Sequence, residues 1–328
     1  MKLALVSAAS VLAATVYVHG QAVQVDSALP AYQRTSGVSG SLNSVGSDTM
    51  NNMMTLWAET FRKFYPSVKV QVEGKGSSTA PPALIAGTAQ FGPMSRQMRA
   101  SEIDQFEARY KYKPTELRTS YDALAVYVHK DNPITKLSLA QVEAIFGKTR
   151  KRGYKQNIAT WGQVGLTGDW ANRPISLYGR NSASGTYGFF KEHTLKNGDF
   201  KDTVKEQPGS ASVVQGITED RFGIGYSGVG YRTSGVKPLA LSETEAGPFV
   251  EGTYANVQST KYPLSRFLYL YVNKAPGKGL DPLAAEFVKL IFSKEGQEVV
   301  IKDGYMPVSA DVARQELAKI GGGKPSTE

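Results

Sequence analysis

Apolar positions along this chain recur in two periods. Between Met50 and Phe64 the side chains of Met50, Met53, Met54, Trp57, Phe61 and Phe64 stand three and four residues apart, the spacing of one buried helix face, and Pro66 marks the stop. Val68, Val70 and Val72 then alternate with polar residues and predict a strand. Pro81 and Pro82 follow a glycine turn and belong in the first turn of a second helix. Ser138 and Gln141 form a capping box for a third, with Gly147 at its C-terminal end, and Asp281-Pro282 opens a fourth carrying Leu283, Phe287, Leu290 and Ile291. Two runs, Leu124 to Lys130 and Leu268 to Lys274, are almost continuously apolar, as strands buried on both faces are. They suit the two crossings of a chain that leaves one lobe, builds a second and returns, a geometry adapted to hinge closure. Strands alternating with amphipathic helices place the chain in the α/β class.

Length turns one core into two, because 328 residues exceed the size at which a single core usually keeps growing. Residues 39–120 plus 262–318 are expected to form the first lobe and 121–261 the second. Lys2, the apolar stretch from Leu3 to Val18 and the small-residue site near Gly20 read as a secretory signal over residues 1–20, too short for a spanning helix. Residues 21–38, rich in Ser and small side chains, read as a mobile arm, and 319–328 as a flexible tail.

Charge narrows the partners. The formal net charge is +9, or +8 once Lys2 is cleaved with the signal (9 − 1), and favours anions. The basic residues are scattered, however. Their densest run, Lys148 to Lys155, lacks aromatics interleaved for base stacking and reads as a solvated loop, so no nucleic-acid partner is expected. With no cysteine there is neither a disulfide nor a thiol for lipid attachment, which fits a freely diffusing monomer in a bacterial periplasm.

Candidate chemistry lies in three turns that place small residues and hydroxyls just before a helix: Gly46-Ser47-Asp48-Thr49, Gly76-Ser77-Ser78-Thr79 and Ser182-Ala183-Ser184-Gly185-Thr186. Helix-start N–H groups and hydroxyls are donors that a tetrahedral oxyanion accepts, and glycine lets the backbone come close. Singly, such turns are ordinary N-caps. Three of them, with Arg180 four residues before Ser184, point to an anion site, since a guanidinium fork matches phosphate.

Together with Phe91-Gly92-Pro93-Met94-Ser95-Arg96, Gly223-Ile224-Gly225-Tyr226 and Tyr262-Pro263-Leu264-Ser265-Arg266, these segments resemble, in order and over nearly the whole chain, the phosphate-binding proteins of the high-affinity phosphate ABC transporter, the PstS family. The resemblance implies a two-lobed type II periplasmic-binding fold that grips inorganic phosphate between its lobes and delivers it to a membrane permease, with no cofactor and no metal. It assigns ligand positions to Ser77, Arg180, Ser184, Gly185 and Thr186, and places Asp48 and Thr49 in the first ligand loop. Ser95 departs from it, because familiar members carry an aspartate there. That carboxylate accepts the proton that phosphate carries and sulfate lacks, so a buried acceptor rejects sulfate. Asp48 is the expected replacement and Ser95 an added hydroxyl ligand, the alternative being that Asp48 only caps the helix after it.

The rival classes are a secreted phosphatase using the same anion site and a binding protein for another oxyanion. No machinery for the first is visible: His129 ends a strand, His193 lies in a predicted helix, neither has a partner at metal-ligand spacing, and Gly225-Tyr226-Ser227-Gly228-Val229 breaks the nucleophile-elbow pattern. Tyr121, Asp122, Tyr262 and Arg266 are expected to steady the closed form at the hinge without touching ligand.

Overall fold

The computed structural model describes residues 23–321; the signal segment expected over residues 1–20 lies outside them. The chain begins with β1 (Ser41–Val45), α1 (Asn51–Phe64), β2 (Lys69–Glu73), α2 (Ala80–Ala86), β3 (Phe91–Met94) and α3 (Ala100–Tyr110). The long strand β4 (Thr115–His129) leads into β5 (Lys136–Ser138), α4 (Leu139–Phe146), β6 (Ser176–Arg180), α5 (Gly185–His193), β7 (Val204–Gln207), α6 (Ser210–Glu219), β8 (Gly223–Gly228), β9 (Val236–Pro238), β10 (Ala240–Ser242) and α7 (Tyr254–Gln258). Strand β11 (Ser265–Val272) returns, and α8 (Pro282–Ile291), α9 (Lys294–Lys302) and α10 (Ala310–Ile320) complete the fold. None of these helices is long and apolar enough to cross a membrane.

The strands run in the order β2-β1-β3-β11-β4-β8-β6-β7, with β9 also on β4. β1 is parallel to β2 and β3, and β6 is parallel to β7 and β8, whereas the central pairs β3/β11, β11/β4 and β4/β8 are antiparallel. β4 therefore serves two lobes. Thr115 to Ala123 pair with β11, and Leu124 to Val128 pair with β8. The cores divide accordingly: Leu117 and Leu268 pack with Met53, Trp57, Phe61 and Phe287, while Leu124 and Val126 pack with Phe146, Trp161, Phe190 and Tyr226. Each fully buried large apolar side chain stabilises its lobe by about 1.5–3 kcal/mol.

The predicted helix ends agree with the observed ones for local reasons. Asp281 accepts from the N–H groups of Leu283 and Ala284, Ser138 from that of Gln141, and Pro81 and Pro82 occupy the first turn of α2.

Three expectations need correction. The described part of the arm, 23–38, is packed: Leu29 and Tyr32 are buried in the first lobe, and the Tyr32 hydroxyl donates to Glu286 at 2.7 Å. Its small residues hid two apolar anchors. Residues 319 and 320, assigned to the tail, belong to α10, which ends on the buried Ile320; residues 322–328 lie outside the described ones. Tyr262 and Leu264, assigned to the first lobe, are buried in the second, where the Tyr262 hydroxyl donates to the Leu124 carbonyl at 3.1 Å. The return crossing thus falls at β11 itself.

Candidate oxyanion site

The parallel strands β1, β2 and β6 end at one cleft, where open α/β sheets place their ligands. β1 runs into Gly46-Ser47-Asp48-Thr49, β2 into the turn ending at Ser77, β3 into Ser95, and β6 ends on Arg180, with Ser184 to Thr186 opening α5 beyond it. Backbone contacts close the two sides together. The N–H and hydroxyl of Ser78 both donate to the Ala183 carbonyl, at 3.2 and 2.8 Å.

Four buried hydroxyls meet there. Thr49 Oγ1 of the first lobe lies 2.9 Å from Thr186 Oγ1 of the second, Ser95 Oγ is 3.4 Å from the same Thr186 atom, and Ser77 Oγ is 3.3 Å from Ser95 Oγ. Gly185 packs against this group so closely that a Cβ on it would stand 2.2 Å from Ser77 Oγ and 2.7 Å from Ser95 Oγ. Gly76, at φ +118°, is equally constrained, its missing Cβ lying 2.5 Å from the Ala183 carbonyl oxygen. Among the expected ligands the structure therefore brings together Thr49, Ser77, Ser95, Gly185 and Thr186. The hydroxyl of Ser184 instead caps α5, accepting from the Tyr187 N–H at 3.3 Å.

Arg180 and Asp48 form a second group. Arg180 is buried, its Nη2 lies 3.3 Å from Asp48 Oδ2, and its Nη1 donates to Ser210 Oγ at 2.7 Å. Its Nε is buried without a hydrogen-bond partner among the described residues. Burial lowers the pKa of this guanidinium, and the Asp48 carboxylate opposes that shift. The side chain of Asp48 does not cap the helix that follows it. It reaches across the cleft instead, and Oδ2 accepts from the N–H of Ser210 in the first turn of α6 at 2.8 Å. Asp48 Oδ1 has no hydrogen bond among the described residues.

Two participants escaped the sequence reading. Arg266, expected to stay clear of the site, donates from Nη2 to Thr186 Oγ1 at 3.1 Å and from Nη1 to the Ser95 carbonyl at 2.8 Å. It is held by Asp122, its cross-strand neighbour, through bonds of 2.8 and 2.6 Å to Oδ2, while Asp122 Oδ1 accepts from Val229 N–H. Its steadying role at the hinge is thus joined by a contact with a ligand-loop hydroxyl. Ser210 was also missed, although Gly209-Ser210 at the start of α6 repeats the small-residue turn that marked the others. His129 and His193 make no contact with the hydroxyls. The described residues hold no group of three or more His, Cys, Asp or Glu placed to bind a metal.

A cradle of donors drawn from both lobes at strand ends has the architecture of a two-lobed solute-binding protein of the periplasmic type. The PBP superfamily domain model matches residues 31–295. The phosphate-binding protein PstS of Pseudomonas aeruginosa is 56% identical over 317 residues, covering 97% of this chain and 98% of the relative. Among solved structures, a candidate phosphate ABC transporter substrate-binding protein of Clostridium perfringens with bound phosphate is similar at TM-score 0.69 and 24% identity, over 82% of this chain and 100% of that one. A candidate phosphate binding protein of Planctomyces limnophilus follows at TM-score 0.62 and 26% identity, over 87% and 98%. The chain belongs to the PBP superfamily and, within it, to the PstS family of phosphate-binding proteins. The relatives so named are binding proteins.

Proposed function

We propose that this protein captures inorganic phosphate between its lobes and delivers it to the membrane permease of an ABC importer. The observation that carries the reading is the meeting of Thr49, Ser77, Ser95 and Thr186, hydroxyls from both lobes, beside two buried guanidiniums, in a chain 56% identical to a PstS protein. An oxyanion taking these donors bridges the lobes, so its binding favours the closed form that a permease distinguishes from the open one. The ligand set is Thr49, Ser77, Ser95, Arg180, Gly185 and Thr186, with Ser184 supporting it as the cap of α5. Asp48 accepts the proton of phosphate through Oδ1, the carboxylate oxygen left over from its contacts with Arg180 and Ser210. Both Asp122 oxygens are already engaged. The protein works as a monomer in the periplasm, with its lobes divided near residues 120 and 265.

Isothermal titration of protein unfolded and refolded to strip bound anion, with phosphate and then sulfate near pH 8, tests the reading. Tight one-to-one phosphate binding without a sulfate response is expected. A folded protein that gives no phosphate heat sinks it.

A further inference from the structure

The backbone of the first ligand loop is held by two tyrosines outside the ligand set. After β8 the chain makes a single turn, Val229–Tyr231, and the Tyr231 hydroxyl donates to the Asp48 carbonyl oxygen at 3.0 Å. The next carbonyl, that of Thr49, accepts from the Tyr305 hydroxyl at 2.9 Å. The two donors differ in origin. Tyr305 is buried in the core of the first lobe, the lobe of Asp48 and Thr49 themselves. Tyr231 comes from the second lobe and packs on the cores of both, meeting the group of Tyr127, Tyr178 and Val213 on its own side. One carbonyl is therefore fixed within its lobe and the other across the cleft.

The backbone is shaped to let Tyr231 reach. A Cβ on Gly230 would stand 2.6 Å from the Asp303 carbonyl oxygen and 2.8 Å from the Tyr305 ring, and one on Gly304, itself at φ +81°, would stand 3.0 Å from Gly230 Cα. The turn after β8 thus meets the first lobe backbone to backbone, an approach that glycine permits. Burial, with Asp48 and Asp303 nearby, holds the Tyr231 hydroxyl above its ordinary pKa, so it stays a donor. Asp48 then meets three second-lobe groups: Tyr231 at its carbonyl, and the Ser210 N–H and Arg180 at its carboxylate. All three contacts lie on the surface that closes. When the lobes part, water takes the place of the carbonyl on the phenol, so this bond favours the closed form alone.

We propose that Tyr231 is a latch for closure and a positioning residue for phosphate capture: acting through the Asp48 carbonyl, it ties the first ligand loop to the second lobe and slows the release of phosphate. The inference rests on the capture reading above.

Tyr231→Phe keeps the ring on both cores and removes the hydroxyl. Release of radiolabelled phosphate after a chase with unlabelled phosphate, followed by rapid filtration, is expected to be about fivefold faster than in the wild type, the worth of one hydrogen bond. The dissociation constant should rise by the same factor, leaving the association rate unchanged. The melting temperature without phosphate should also be unchanged. Tyr305→Phe is the contrast, because its hydroxyl is buried within one lobe: the variant should melt lower with or without phosphate. Unchanged release from Tyr231→Phe overturns the latch. So does a fall in its phosphate-free melting temperature like that of Tyr305→Phe, which would make the bond a fixture of both states. A wild type that retains no label removes the capture reading and the latch with it, whereas a wild type that binds phosphate no differently from Tyr231→Phe removes the latch alone.

Discussion

Asp48 in the first lobe and Arg180 in the second meet across the cleft, carboxylate Oδ2 to Nη2 at 3.3 Å, and the same oxygen takes the N–H of Ser210. One side chain therefore ties the loop after β1 to both the guanidinium and the first turn of α6. If Asp48 also accepts the proton of phosphate, Asp48→Asn replaces an acceptor by a group that can donate to sulfate. Competition titration is expected to show selectivity for phosphate over sulfate reduced by about 100-fold or more, as loss of a buried polar discriminator does. Unchanged selectivity would leave Asp48 as an interlobe tie alone.

Arg180→Met keeps the bulk of the side chain and removes the charge. Phosphate affinity measured by titration is expected to fall by about 100-fold, equivalent to roughly 3 kcal/mol for charge-assisted bonds in a buried setting. A change of less than threefold would take Arg180 out of the ligand set.

Gly185→Ala sets a methyl group where Ser77 Oγ and Ser95 Oγ already lie, 2.2 and 2.7 Å away. Alanine suits the first turn of a helix, so the second lobe itself should fold normally. Small-angle scattering is expected to show a variant that stays open at phosphate concentrations that compact the wild type, with an unchanged melting temperature in the absence of ligand. Normal compaction would mean that the lobes close with more freedom than this packing allows.

Arg266→Leu would leave the carboxylate of Asp122, fully buried on β4, without its partner. Removing one member of a buried pair costs about 3–5 kcal/mol, so a marked drop in the urea midpoint is expected, and Asp122→Leu in the same chain should recover part of it. A midpoint shift worth under 1 kcal/mol would show that water reaches the pair.

Asp303 supplies a pH dependence. Its Oδ1 accepts from Asn52 and its Oδ2 is buried without a partner among the described residues; burial pushes the carboxyl up from 3.8 to about 6, partly offset by Asn52. The folded protein then binds this proton more tightly than the unfolded chain, so stability falls as pH rises from about 4 through about 6. Asp303→Asn removes that loss. Urea denaturation should find the variant more stable by roughly 1 kcal/mol at pH 7, discounted for partial solvent access, and equal to the wild type at pH 4. A wild type at least as stable at pH 7 would refute it.

Local rules carried much of this fold. The three-and-four spacing of Met50 to Phe61 marks α1 whatever surrounds it, because a helix has one period and one buried face, and Asp281, Ser138 and Pro81 mark helix starts because their contacts lie within a few residues. The small-residue turns were legible for the same reason: a hydroxyl before a helix is a local pattern, and Arg180 stands four residues from Ser184. What joins them is not local. Thr49 and Thr186 are 137 positions apart and Asp122 and Arg266 are 144 apart, and only the register of β11 on β4, with the closure of one lobe on the other, makes them neighbours. The packing of Leu29 and Tyr32, hidden among small residues, likewise depends on the distant surface of Glu286 and Tyr65. By itself the sequence determined the helix starts, the strand periods and the donors available to an anion. Tertiary structure alone decided which donors share a site and that Asp48 reaches Ser210 instead of capping its own helix, since pairing across a sheet and a cleft depends on register and closure that no local pattern encodes.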